Sequence, residues 1–148
     1  MQTYFDHEKL NVYQVSLTFN EWVGELLCSI EAKAAAKDHL DRAATSIPLN
    51  IAEGNGKFSR RDRARFFDIA RGSAVESAAS LDVLVSRKLT TQVHVAPAKE
   101  QLVEIVNMLI GLLKGLGYRF DSGGSVVREE WDYEFGFERE QEHEKEQE

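Results

Sequence analysis

The chain has little with which to cross-link itself or to interrupt a helix. A single cysteine, Cys28, excludes an internal disulfide, and its neighbours Leu26, Leu27 and Ile30 predict a buried thiol. Only two prolines occur, Pro48 and Pro97, so long helices can run with few missing donors and few ring clashes. No apolar run approaches the ~18 residues of a membrane span. The start, MQTYFDHEKL, lacks the basic-then-apolar order of a secretory signal. The expectation is a cytoplasmic protein with no membrane partner. His7, His39 and His143 are scattered without metal-ligand spacing. Gly54-x-Gly56 lacks the Lys-Ser/Thr ending of a phosphate loop, and no Ser/His/Asp set has support. No cofactor, metal or catalytic residue is therefore expected.

What is present suits one soluble domain. The chain has 148 residues, of which 43% are apolar and 29% charged. The net charge of −7 is unevenly spread: residues 129–148 hold ten acidic and two basic side chains, whereas residues 1–128 hold 15 acidic and 16 basic. The acidity belongs to the C-terminal end, and the remainder is close to neutral.

Apolar spacing predicts four helices. The first runs from about Asp6 to Ile30, with Val12, Ser16, Phe19, Val23, Leu26 and Ile30 on its inner stripe. The second runs from about Ala34 to Asn55 and carries Leu40, Ala43, Ala44, Ile47, Ile51 and Ala52 inward. Pro48 lies inside it and frees the carbonyl of Ala44, which Ser46 or Asn50 could satisfy. Gly54 and Gly56 read as its stop. Ser59, with Asp62 three residues on, resembles a capping box for a third helix reaching about Lys88. The fourth runs from about Pro97, suited to a first turn, to Leu116, where Gly117 stops it. The segment LTTQVHVA between the last two reads as a linker. Short links between amphipathic helices give an all-α, up-down-up-down four-helix bundle over residues 1–120. Residues 121–148 form a separate acidic tail behind an SGGS junction. In the tail Trp131, Tyr133, Phe135 and Phe137 alternate with polar residues. It reads as a flexible tail, or as a strand-like piece docking on a groove or neighbour.

Five basic residues in nine, Lys57, Arg60, Arg61, Arg63 and Arg65, open the third helix. Arginines there oppose the helix dipole at a small local cost. Phosphate would favour them, which makes these five the candidate nucleic-acid-binding residues. A solvated face, or ion pairs to a subunit or to the tail, would also account for them. Glu53 near the end of the second helix calls for a cationic partner, Arg42 or Arg71. Arg87 and His94 have an R-x6-H spacing used by some helical-bundle ribonucleases.

The stretch from Thr45 to Ser77 resembles the four-helix-bundle family of 23S ribosomal RNA intervening-sequence proteins, related to accessory proteins of diversity-generating retroelements. The residues that carry the resemblance are Ser46-Ile47-Pro48, then Asn50-Ile51-Ala52-Glu53-Gly54, then Ser59, then Ile69-Ala70-Arg71-Gly72-Ser73, and Glu76. The resemblance implies a helical bundle assembled as a ring-like homopentamer, with no known enzymatic activity. It also implies relatives that bind nucleic acid and a reverse transcriptase through a basic surface. It does not extend past Asp121. The reading that follows is a non-enzymatic oligomeric scaffold or adaptor tied to RNA or to a nucleic-acid enzyme. The alternatives are a purely protein-binding module and, more remotely, a ribonuclease.

Overall fold

The computed structural model describes residues 2–120 and the backbone of residues 126–129. A 3-10 turn at Asp6–Lys9 is followed by four α-helices: α1 (Asn11–Ser29), α2 (Ala35–Gly56), α3 (Arg60–Ser86) and α4 (Gln92–Gly115). Each helix packs on the one before it, and α4 closes back on α1. The result is the expected four-helix bundle. The expected separate tail lies outside the described residues, except for a short strand. That strand, β2 (Val126–Glu129), pairs antiparallel with β1 (Tyr118–Phe120), which follows α4 directly.

The inner stripes form the core. Val12, Ser16, Phe19, Val23, Leu26 and Ile30 of the first segment are all buried, as are Leu102, Ile105, Leu109 and Leu113 of α4. Several boundaries differ from the sequence reading. The first segment is not one helix: Leu10 is extended (φ −73°, ψ 126°) and separates the 3-10 turn from α1. Cys28 is exposed, not buried; Leu26 and Ile30 take the inward positions on either side of it. α3 ends at Ser86, with Lys88 at a positive φ of 61°. α4 begins at Gln92, because Thr91 caps it by accepting from the His94 amide at 3.2 Å. Pro97 therefore lies inside the helix and not at its start. The carbonyl it leaves without a donor is that of Val93, an exposed residue of the first turn where water can serve. Gly117 does end the helix, at φ 95°.

Neither glycine expected to stop α2 does so by left-handed geometry, since Gly117 holds the only positive glycine φ among the described residues. The helix continues to Gly56 and leaves through an extended Lys57 (φ −77°, ψ 149°). Gly54 is instead buried inside α2, against α3. A Cβ there would lie 2.9 Å from two ring carbons of Phe67 and 3.0 Å from the Phe66 Cβ. Glycine is required for the approach of the helices.

The carbonyl freed by Pro48 also finds a different partner from the two expected. Asn20 of α1 donates from Nδ2 to the Ala44 carbonyl at 2.8 Å. Asn50 donates instead to the Ser46 carbonyl and hydroxyl, each at 2.8 Å. The Ser46 and Ser73 hydroxyls share a hydrogen bond of 2.8 Å between α2 and α3.

Two consequences are measurable by urea denaturation. Gly54→Ala should destabilise the fold by about 1–3 kcal/mol through overpacking against Phe67. Asn20→Ala strands a buried carbonyl and should cost about 1–3 kcal/mol. In a Pro48→Ala background, residue 48 regains its own amide donor and the cost of Asn20→Ala should shrink; equal costs in both backgrounds contradict the assignment.

Candidate nucleic-acid interface

The five basic residues open α3 beside the turn from α2, and the structure divides them. Ser59 caps the helix, its Oγ accepting from the Asp62 amide at 3.1 Å. Lys57 turns back onto the bundle. Its Nζ is 3.7 Å from Glu53 and sits 5.0 Å above the Phe66 ring. Glu53 thus pairs with Lys57, one turn on, and not with Arg42 or Arg71; Arg71 is held by Asp68 at 2.8 Å. Arg63 donates to the Asn55 carbonyl at 3.3 Å, closing one of the orphan acceptors at the end of α2. Lys57 and Arg63 therefore serve the fold.

Arg60, Arg61 and Arg65 are exposed. Arg60 and Arg65 engage no carboxylate among the described residues. Arg61 and Arg65 line a cleft of about 500 Å³ between α3 and the end of α4, with Ile69, Leu113 and Tyr118 as its apolar wall. Asp62 and Asp68 also border the cleft, with Asp68 neutralised by Arg71.

Phe58, which the sequence reading did not single out, is fully exposed on the turn between Lys57 and Ser59. Its position carried a signal. A hydrophobic residue just before a cap normally packs on the fourth helical residue, and here that residue is Arg63. Without an apolar partner the ring stays in solvent.

The remaining motif residues serve structure or surface. Ser46, Asn50 and Ser73 make the polar contacts between α2 and α3 described above, Pro48 is buried within α2, and Glu76 approaches His39 at 3.5 Å. Gly72 is exposed in mid-helix. Of the Arg87 and His94 pair, Arg87 is the C-cap of α3 and the His94 ring lies 5.6 Å from that of Trp22. Among the described residues, no group of three His, Cys, Asp or Glu side chains could hold a metal. No described helix is long and apolar enough to cross a membrane.

A crystal structure of a protein of unknown function from Bacteroides thetaiotaomicron, of the S23 ribosomal protein family, superposes with a TM-score of 0.66 at 25% identity. The match covers 70% of this chain and 98% of that one. No curated protein matches the chain. The model of the 23S rRNA-intervening sequence protein family matches residues 8–111, which span α1 to most of α4, with the proline-bearing α2, the capped α3 and the arginine-bearing turn between them. The chain belongs to the 23S rRNA-intervening sequence protein family.

Proposed function

We propose that this protein is a non-enzymatic, self-associating helical scaffold that holds RNA on the N-terminal end of α3. The observation that carries the reading is the division among the basic residues. Lys57 and Arg63 are used by the fold, whereas Arg60 and Arg65 stand in solvent without a carboxylate among the described residues. Guanidinium groups so placed suit phosphate oxygens, which they engage in paired, charge-assisted hydrogen bonds. The exposed Phe58 ring adds a surface on which a base can stack.

Self-association draws on the outward face of the same helix. Ile69, Gly72, Val75, Ala79 and Val83 are all exposed there. A glycine in an open mid-helix position costs about 1 kcal/mol relative to alanine, a cost that close approach of a second helix would offset. The family resemblance implies five copies in a ring. If Arg60 and Arg65 hold a subunit and not RNA, the protein is a purely protein-binding module.

An RNA hairpin labelled for fluorescence anisotropy should bind at low salt, and its affinity should fall steeply as salt rises. Arg60→Glu with Arg65→Glu should weaken binding at least about tenfold while helicity and solution mass stay unchanged. Absence of binding at low salt refutes the RNA reading, and dissociation of the assembly by this pair assigns the arginines to subunit contacts. Arg63→Ala serves as the contrast, costing roughly 1 kcal/mol of stability. Val75→Lys with Val83→Lys should reduce the mass measured by light scattering to that of a monomer; an unchanged mass places the subunit contact elsewhere.

A further inference from the structure

We propose that the cleft between α3 and the end of α4 is the docking site of this chain's own acidic segment, residues 130–148. The strand register brings that segment to the cleft. β1 leaves the end of α4 at Tyr118, and β2 returns antiparallel, pairing Glu129 with Tyr118. Tyr118 is itself part of the cleft wall, with Arg61, Arg65, Ile69 and Leu113. The chain therefore emerges from its last strand residue beside two arginines and an apolar wall. Nineteen residues follow Glu129, and at ~3.3 Å per extended residue they far exceed the reach needed.

The chemistry of the segment matches that of the cleft. Residues 130–148 carry nine acidic and two basic side chains, whereas residues 1–128 have one more basic than acidic residue. Trp131, Tyr133, Phe135 and Phe137 stand at alternate positions, with Asp132 and Glu134 between the first three. An extended segment of this kind offers carboxylates to the arginines on one side and rings to Ile69 and Tyr118 on the other. Asp62 and Asp68, which border the cleft, oppose the carboxylates; the ion pair to Arg71 offsets the charge of Asp68. Tethering through β2 gives the segment an effective concentration in the millimolar range. It thereby competes with an external polyanion for Arg65, the arginine that the cleft shares with the proposed RNA surface. The docking stands without the RNA reading, and only the competition rests on it.

Chymotrypsin digestion of the full chain tests the docking, because the enzyme cuts after the four aromatic residues in question. Cleavage at Trp131–Phe137, followed by mass spectrometry without RNA, should be slow at low salt and faster at about 1 M NaCl, where screening shortens to ~3 Å. Arg61→Glu with Arg65→Glu should accelerate it about tenfold, and adding Glu130→Lys with Glu134→Lys should restore protection. Equal rates for the parent and the arginine variant at low salt, with unchanged helicity, overturn the proposal. Should that variant fail to fold, a rate in the parent that is independent of salt overturns it equally. Protection that grows with protein concentration shows the tail of a second copy in the cleft, and overturns docking within the chain. Saturating hairpin RNA should raise the cleavage rate of the parent; an unchanged rate with RNA bound refutes the competition and leaves the docking intact.

Discussion

The close approach of α2 to α3 is the constraint on which the site depends. At residue 54 there is no room for a methyl group before the Phe67 ring. About two turns of helix earlier, the contact is made by polar side chains, with the Ser46 and Ser73 hydroxyls 2.8 Å apart. The two helices are joined by a turn of only three residues, Lys57, Phe58 and Ser59. The turn therefore has little freedom, and what it carries is held in a fixed relation to the bundle. Arg63 tightens the same junction by closing on the Asn55 carbonyl. The arginine-bearing end of α3 is thus displayed on a rigid element.

Pro48 adds a second constraint, felt by α1. A proline in a helix interior orphans a carbonyl, and a wholly buried one cannot turn to water. Asn20 supplies the donor from the neighbouring helix, so a local defect in α2 fixes the register between α1 and α2. The contrast with Pro97 shows why burial decides the consequence. There the freed carbonyl lies in an exposed first turn and asks nothing of the rest of the fold.

The two ends of the chain's chemistry meet at the α3–α4 cleft. The arginines come from the start of α3, Leu113 from the end of α4, and the β1–β2 pairing brings Glu129 beside Tyr118 at the same place. A protein that is acidic as a whole can in this way present a local cationic surface.

The sequence by itself determined the four helices, their inner stripes, the Ser59 cap and the Gly117 stop, because each follows from spacing or backbone preference within a few residues. Even the exposure of Phe58 was legible, since Arg63 stands where an apolar partner would have to be. The tertiary structure alone decided the rest. Gly54 looked like a stop because glycine ends helices locally; its actual role depends on Phe67, thirteen residues away and on another helix. The donor to Ala44 is likewise remote, which is why the nearer Ser46 and Asn50 were expected in its place. The division of the basic cluster into fold-serving and solvent-facing members could not be read from five cations in a row. It depends on which of them the helix turns toward Glu53, Phe66 and the Asn55 carbonyl, and that is set by packing.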